Sequence, residues 1–390
     1  MPNETSTSAN YLPSALAILL VTTVAACSNN DGEQVTEVAK PEITQPETTK
    51  PETAQIKTGQ TTTGALGSYN VNLKQTSVSG LSSGAFMTSQ LYMVHSDIMI
   101  GAGVVAGGPY LCSRSWPMTA PMITATTTCM NPPDGLGPNL PRLETLTQEL
   151  SGTGDIDAIT NLANDRIYLF SGQNDHTVYP PVVDSTLTFF TDLGVPVDAI
   201  NYDNSVNAGH SIITNHADDV PCAETASPYI NNCDFMQSTR IIEHIYPDAQ
   251  PPVTQATGQL IEFDQTEFLP NNITSMSEKG YAYVPEVCVS GTECRLHVAL
   301  HGCEQGYESI GDQYYTTTGY NEMADANQLI VLYPQASKSI TMPVNPKGCW
   351  DFWGYSSYNQ LAPDFYTREA PQIKAIYGMI ERLSGASAEQ

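Results

Sequence analysis

A serine framed by glycines, Gly80-Leu81-Ser82-Ser83-Gly84, sits between a segment that alternates like a strand and a segment that reads as a helix. Before it, Tyr69, Val71 and Leu73, then Thr76 and Val78, follow the two-residue period of a half-buried strand. After it, residues 85–95 run Ala-Phe-Met-Thr-Ser-Gln-Leu-Tyr-Met-Val-His without Gly or Pro, as a helix does. Strand, Gly-x-Ser-x-Gly and helix in that order form the setting of a nucleophile elbow, a turn too tight to admit side chains beside the serine. With 28 Gly in the chain the motif alone is a weak signal; its flanks make it specific. The Ile98–Gly108 segment, rich in Ile, Val, Ala and Gly, then reads as a buried parallel neighbour.

A serine nucleophile needs a base, and the base needs a group to orient it. Arg166-Ile-Tyr-Leu-Phe-Ser-Gly reads as a buried strand with Asp175 in the loop just past it. Val197–Val206 suggests another strand, followed by Asn207-Ala-Gly-His210-Ser. The order Ser82, Asp175, His210 is that of the α/β-hydrolases. His176 is the rival base, but it adjoins the candidate acid; His95 and His297 are expected to be structural. Further on, Arg295-Leu-His-Val-Ala-Leu leads into His301-Gly302-Cys303, and His-Gly loops after a strand supply backbone N–H donors in this fold. The expected oxyanion donors are the N–H groups of Ser83 and Cys303. In an ordinary α/β-hydrolase that strand precedes the nucleophile. Here it follows, so the expected fold is an α/β-hydrolase with a circularly permuted strand order and a mostly parallel central sheet flanked by helices. Residues 247–258, which include Pro247, Pro251 and Pro252, would join the ends that an unpermuted enzyme leaves free.

With 41 acidic against 15 basic residues the formal charge is −26, which argues against nucleic acid or an anionic lipid surface as partner. No apolar run long enough to span a bilayer lies beyond the N-terminus. At the N-terminus, Ala15–Ala26 is apolar but too short to span, and suits a signal-peptide core, so residues 1–26 are expected to be a signal peptide. Ala25-Ala26-Cys27 resembles a bacterial lipobox, which implies lipidation of Cys27, although Glu4 and no Lys or Arg precede the core. The only membrane contact expected is that lipid anchor. From Leu12 to Ser68 there is no aromatic residue, and Pro41-Glu-Ile-Thr-Gln, Pro46-Glu-Thr-Thr-Lys and Pro51-Glu-Thr-Ala-Gln repeat in fives. Residues 27–65 therefore read as a disordered Thr/Pro/Glu linker with a reach on the order of 100 Å. Residues 66–390 read as a single catalytic domain, expected to be monomeric.

Setting Cys27 aside leaves Cys112, Cys129, Cys222, Cys233, Cys288, Cys294, Cys303 and Cys349, an even number that suits disulfides in an exported chain. Proximity along the chain suggests Cys112–Cys129, Cys222–Cys233 and Cys288–Cys294, leaving Cys303–Cys349, among the roughly 105 pairings that eight cysteines allow. No Cys-x-x-Cys or His-Glu-x-x-His spacing occurs, so neither a metal site nor a cofactor is expected.

Gly-Leu-Ser-Ser-Gly, Ser-Gly-x-x-Asp, Gly-His-Ser, Leu-His-Gly-Cys, Leu-Tyr-Pro-Gln and Gly-Cys-Trp-Asp-Phe-Trp-Gly, in that order, resemble the permuted type 2 catalytic domain of extracellular polyhydroxybutyrate depolymerases over roughly residues 66–384. The resemblance implies a serine esterase acting on poly(3-hydroxybutyrate) or its oligomers at the cell surface, with Ser82 as nucleophile, His210 as base, Asp175 as its orienting acid, and Ser83 and Cys303 as oxyanion donors. It implies an exposed tryptophan beside the crevice, for which Trp350 and Trp353 are the candidates; His301 is a third candidate substrate contact. It also implies that Cys303 and Cys349 are bridged. Related enzymes include feruloyl and acetylxylan esterases, so an esterase of that type, or one for synthetic polyesters, is the alternative. A non-catalytic polymer-binding surface lipoprotein is the reading from a different class.

Overall fold

The computed structural model describes residues 61–270 and 274–385. The expected signal peptide, the lipidation site Cys27 and the linker as far as residue 60 lie outside the described residues.

Twelve strands are found among the described residues: β1 Thr61–Gly64, β2 Val71–Leu81, β3 Met99–Val105, β4 Arg166–Phe170, β5 Ile200–Asp203, β6 Ile212–Thr214, β7 Val220–Pro221, β8 Ile230–Asn232, β9 Gln259–Asp264, β10 Lys279–Val284, β11 Cys294–Leu300 and β12 Leu329–Tyr333. Nine of them form one sheet in the order β1-β9-β10-β12-β11-β2-β3-β4-β5. Only β10 runs antiparallel to its neighbours. Strands β6, β8 and β7 make a small separate parallel sheet.

This is an α/β-hydrolase sheet traced from a different starting point. The strand that leads into His301 (β11) lies directly beside the nucleophile strand (β2) and parallel to it, although it comes later in the chain. Residues 247–258 carry the chain from the helix Gln237–Ile245 to β9 at the opposite side of the sheet. Such a parallel sheet is covered on both faces, so the later parts of its central strands are buried on both sides rather than alternating between core and solvent. All five residues of β12 are buried, as are Leu296, Val298, Ala299 and Leu300 of β11. In the helix Pro371–Ser384, Ile373, Ile376, Ile380 and Leu383 are buried along one face, and Gly385 ends it at φ 69°.

The linker boundary needs a correction. Thr61–Gly64, counted in the linker from composition, form β1 and pair in parallel with Leu260–Phe263 at the sheet edge. All four residues are exposed, so the pairing rests on backbone hydrogen bonds that ask little of the side chains. A test for missing aromatics cannot see such a strand.

One polar cluster inside the core explains His297. Its Nδ1 lies 2.6 Å from Ser77 Oγ and its Nε2 2.8 Å from Ser79 Oγ, and these hydroxyls reach Tyr246 and Tyr320. Burial lowers the ring's pKa to about 3, so it is neutral and ties β2 to β11.

Candidate active site

At the end of β2 the backbone turns through Ser82, whose φ of 58° and ψ of −122° are strained for a residue with a side chain. The turn is held from both sides. Ser82 N–H donates to Val105 O of β3 at 3.0 Å, and Ser82 O accepts from Ala85 and Phe86 N–H to start the helix Ser83–Val94. The flanking glycines are steric necessities: a Cβ on Gly80 would strike the backbone of Gly84, and one on Gly84 would strike the carbonyls of Leu300 and His301. The second of these contacts also brings the end of β11 against the elbow.

Asp175 and His210 follow β4 and β5, next along the same sheet. His210 Nδ1 lies 2.7 Å from Asp175 Oδ2. The other carboxylate oxygen, Oδ1, accepts from the N–H groups of Thr177 and Val178 at 2.8 and 2.9 Å. Asp175 is 1% exposed, so its orientation is set by those two donors before it meets the imidazole. His210 N–H donates to Thr225 Oγ1 at 2.9 Å, which seats its backbone on the loop that Cys222–Cys233 closes. His176 takes no part in this pair; its ring packs on Tyr179. Among the described residues no protein group hydrogen-bonds Ser82 Oγ or His210 Nε2.

The loop after β11 reaches the serine. A Cβ built on Gly302 would lie 3.3 Å from Ser82 Cβ and 3.4 Å from Leu81 O. The Ser83 N–H opens its helix and so has no acceptor within it. The Cys303 N–H likewise finds no acceptor among the described residues. Gly302 O, on the same peptide unit, is 2.7 Å from His301 Nδ1. Since C=O and N–H of a trans peptide point in opposite directions, holding the one aims the other. Cys303 is disulfide-bonded to Cys349. The other bonded pairs are Cys112–Cys129, Cys222–Cys233 and Cys288–Cys294.

Two candidate substrate contacts are corrected here. Trp350 is 0% exposed, and its Nε1–H donates to His301 O at 3.0 Å. His301 is equally buried, with Nδ1 on Gly302 O and Nε2 accepting from Ala336 N–H at 3.0 Å. Burial lowers its pKa to about 4, so it is neutral, and its hydrogen bonds fix the Nδ1–H tautomer. Both residues support the loop and leave no face for a ligand. Trp353 is only partly buried, against Phe352 and Tyr355, and keeps its candidacy.

Two further residues matter that the sequence did not single out. Asp351, 1% exposed, accepts from the N–H groups of Trp353, Gly354, Tyr355 and Ser356 and from Ser356 Oγ, so one carboxylate shapes the whole turn that carries Trp353. Burial raises its pKa while these hydrogen bonds oppose the rise. Its signal was a lone acid within an aromatic run. Gln305, also buried, carried no signal at all. Among the described residues no group of His, Cys, Asp and Glu is arranged to hold a metal ion, and no helix is long and apolar enough to cross a membrane.

No family model matches the chain. It is 37% identical over 327 residues to a poly(3-hydroxybutyrate) depolymerase of Delftia acidovorans, a match covering 83% of this chain but 62% of that protein, less than two thirds of its length. It is 35% identical over 342 residues to a polyhydroxybutyrate depolymerase of Talaromyces funiculosus, covering 82% of this chain and 92% of that one. The crystal structure of a PHB depolymerase from Penicillium funiculosum matches with a TM-score of 0.74 at 34% identity, over 83% of this chain and 99% of that one. A PHB depolymerase complexed with an R3HB trimer matches to the same extent.

Proposed function

The chain belongs to the polyhydroxybutyrate depolymerase family, and on that premise we propose that it is a serine esterase hydrolysing poly(3-hydroxybutyrate) or its oligomers. Ser82 Oγ attacks the ester carbonyl while His210 Nε2 takes its proton. Asp175 holds the Nδ1–H and stabilises the imidazolium that forms. The tetrahedral oxyanion is received by the N–H groups of Ser83 and Cys303, and His210 returns the proton to the leaving alcohol. Water, activated by the same histidine, then frees the acyl group from Ser82. Trp353 is the residue proposed to meet the polyester chain.

The observation that carries this reading is the buried Asp175–His210 contact at 2.7 Å, with the second carboxylate oxygen already engaged by two N–H groups. A surface carboxylate that met a histidine by chance would not be so prepared. The deciding experiment compares 3-hydroxybutyrate oligomers, amorphous polymer, feruloyl esters and acetylated xylan as substrates of one preparation. Hydroxybutyrate esters should be turned over fastest. A preference for feruloyl or acetyl esters would move the chain to the alternative esterase class, and no turnover of any ester would leave a binding protein.

The proposed setting is outside the cytoplasm: residues 1–26 direct export, Cys27 carries a lipid, and the following segment tethers a monomeric domain. Four disulfides among the described residues support an oxidising compartment. Cys27→Ser should release the protein from membranes without changing turnover of soluble esters; continued membrane fractionation of that variant would overturn the anchor.

A further inference from the structure

Gln305 lies between the loop that carries Cys303 and the loop that packs on His210, and it is 1% exposed. Its Oε1 accepts from Gly302 N–H at 2.7 Å. Its Nε2 donates to Pro228 O at 2.9 Å and to Tyr229 O at 3.0 Å. Tyr229 O also accepts from Ile212 N–H at 3.0 Å, two residues past His210, and Thr225 of the same loop holds His210 N–H. Gln305 N–H closes the turn by donating to Gly302 O at 3.3 Å. One amide side chain thus joins the Gly302 end of the oxyanion loop, beside Ser82, to the segment that seats the base.

The contact is polarised. The Gly302 N–H needs an acceptor, and the two carbonyls opposite need a donor with more than one hydrogen. A primary amide has both ends, whereas a carboxylate has no donor and a thioether neither group in useful strength. Gln305 and His301 also act on the two sides of one residue: Gln305 holds Gly302 N–H by its side chain, and His301 holds Gly302 O. With both groups held, the next N–H, that of Cys303, is fixed in direction.

We infer that Gln305 is a positioning residue for the ester hydrolysis proposed above, aiming the Cys303 N–H and setting its distance from the His210 segment. The inference rests on the esterase reading. It predicts a defect in the transition state rather than in substrate binding, because the donor acts on charge that develops during attack.

The test uses the full chain carrying Gln305→Glu, which keeps the shape but not the donor, and Gln305→Met, which keeps the length but neither polar end. Both are assayed on a soluble short-chain ester and titrated with a trifluoromethyl ketone, which forms an oxyanion on the serine. A donor displaced by ~1 Å costs about 100-fold, so kcat should fall roughly 10- to 100-fold with KM within about twofold, and affinity for the ketone should weaken by a similar factor. Wild-type kcat in either folded variant, or a loss that only tracks the unfolded fraction, overturns the inference. If one variant does not fold, the other carries the same test. A wild-type chain that hydrolyses no ester is a failure of the esterase reading instead, and is separable because it appears before any substitution is made.

Discussion

The chain before residue 247 and the chain after it meet where β2 lies beside β11, and they bring different kinds of group to the site. The first half brings the side chains of the proposed triad, Ser82 on its strained turn and Asp175 and His210 beyond later strands, along with one backbone N–H, that of Ser83. The second half brings the backbone N–H of Cys303, together with buried residues that support it. The supports differ accordingly. Asp175 is seated by the N–H groups of Thr177 and Val178, and His210 by Thr225 and by Asp175 itself. The Cys303 peptide is surrounded by His301, Trp350, Gln305 and a disulfide. A side chain brings its own chemistry and needs only to be placed. A peptide N–H is the same everywhere in the chain, so its function lies wholly in its direction, and direction takes many contacts to hold.

That contrast can be broken most directly at Ser82. Ser82→Ala should lower ester hydrolysis by about four orders of magnitude or more, read as kcat/KM, because no other nucleophile is placed to replace it. Ser83→Ala should keep most activity, since Ser83 serves through its backbone; the reverse pattern would mean the elbow is misassigned. In the second half the damage should instead fall on stability. Trp350→Ala empties a fully buried site and should destabilise the fold by about 3–5 kcal/mol in denaturant titration. Trp353→Ala should barely move the midpoint and should raise KM for oligoesters. If Trp350→Ala unfolds like wild type and raises KM, the burial argument fails.

A smaller effect is expected from the paired change Cys303→Ser with Cys349→Ser. Releasing that loop should cost about 2–4 kcal/mol of stability, and in the folded fraction turnover should drop by up to about 100-fold if the donor drifts ~1 Å. Wild-type turnover in the folded double variant would show that packing and hydrogen bonds alone aim the N–H.

The smallest expected effect concerns a carboxylate of the first half that lacks the support given to Asp175. Asp165 is buried, accepts the Tyr92 hydroxyl at 2.8 Å, and has its pKa raised by burial to about 7 from 3.8. The folded state therefore holds this proton more tightly than the unfolded state. Its contribution is fully present below about pH 4 and is lost as pH rises through about 7. Asp165→Asn, which cannot ionise, should melt about 2–4 °C above wild type at pH 8 and show no such advantage at pH 4. Equal gaps at both pH values would mean the carboxylate is not the source of the penalty.

Much of this was legible one segment at a time. The helix Pro371–Ser384 shows a one-sided apolar pattern closed by Gly385, and its buried face is that pattern. Ser82 announces itself because a tight elbow admits glycine on either side and little else. Asp175 and His210 follow strands in an order that permits few alternatives. By contrast, Trp350 and Trp353 sit in one short motif but one is fully buried and the other only partly, and His301 was assigned to substrate although it is interior. Nothing within the heptapeptide distinguishes its two tryptophans, because Trp350 meets a carbonyl 49 residues away, that of His301, while Trp353 packs on its own neighbours Phe352 and Tyr355.

What the sequence determined by itself was the set of local conformations and the candidates for the reacting side chains, since turns, helix faces and strand periods depend on neighbours a few residues apart. The tertiary structure alone decided which carbonyls and N–H groups face one another. Gln305 binds Gly302 nearby but Pro228 and Tyr229 far back in the chain, and Trp350 reaches the carbonyl of His301 from a different segment. Such partners are backbone atoms, identical at nearly every residue, so no residue type marks them, and only the folded chain brings them together.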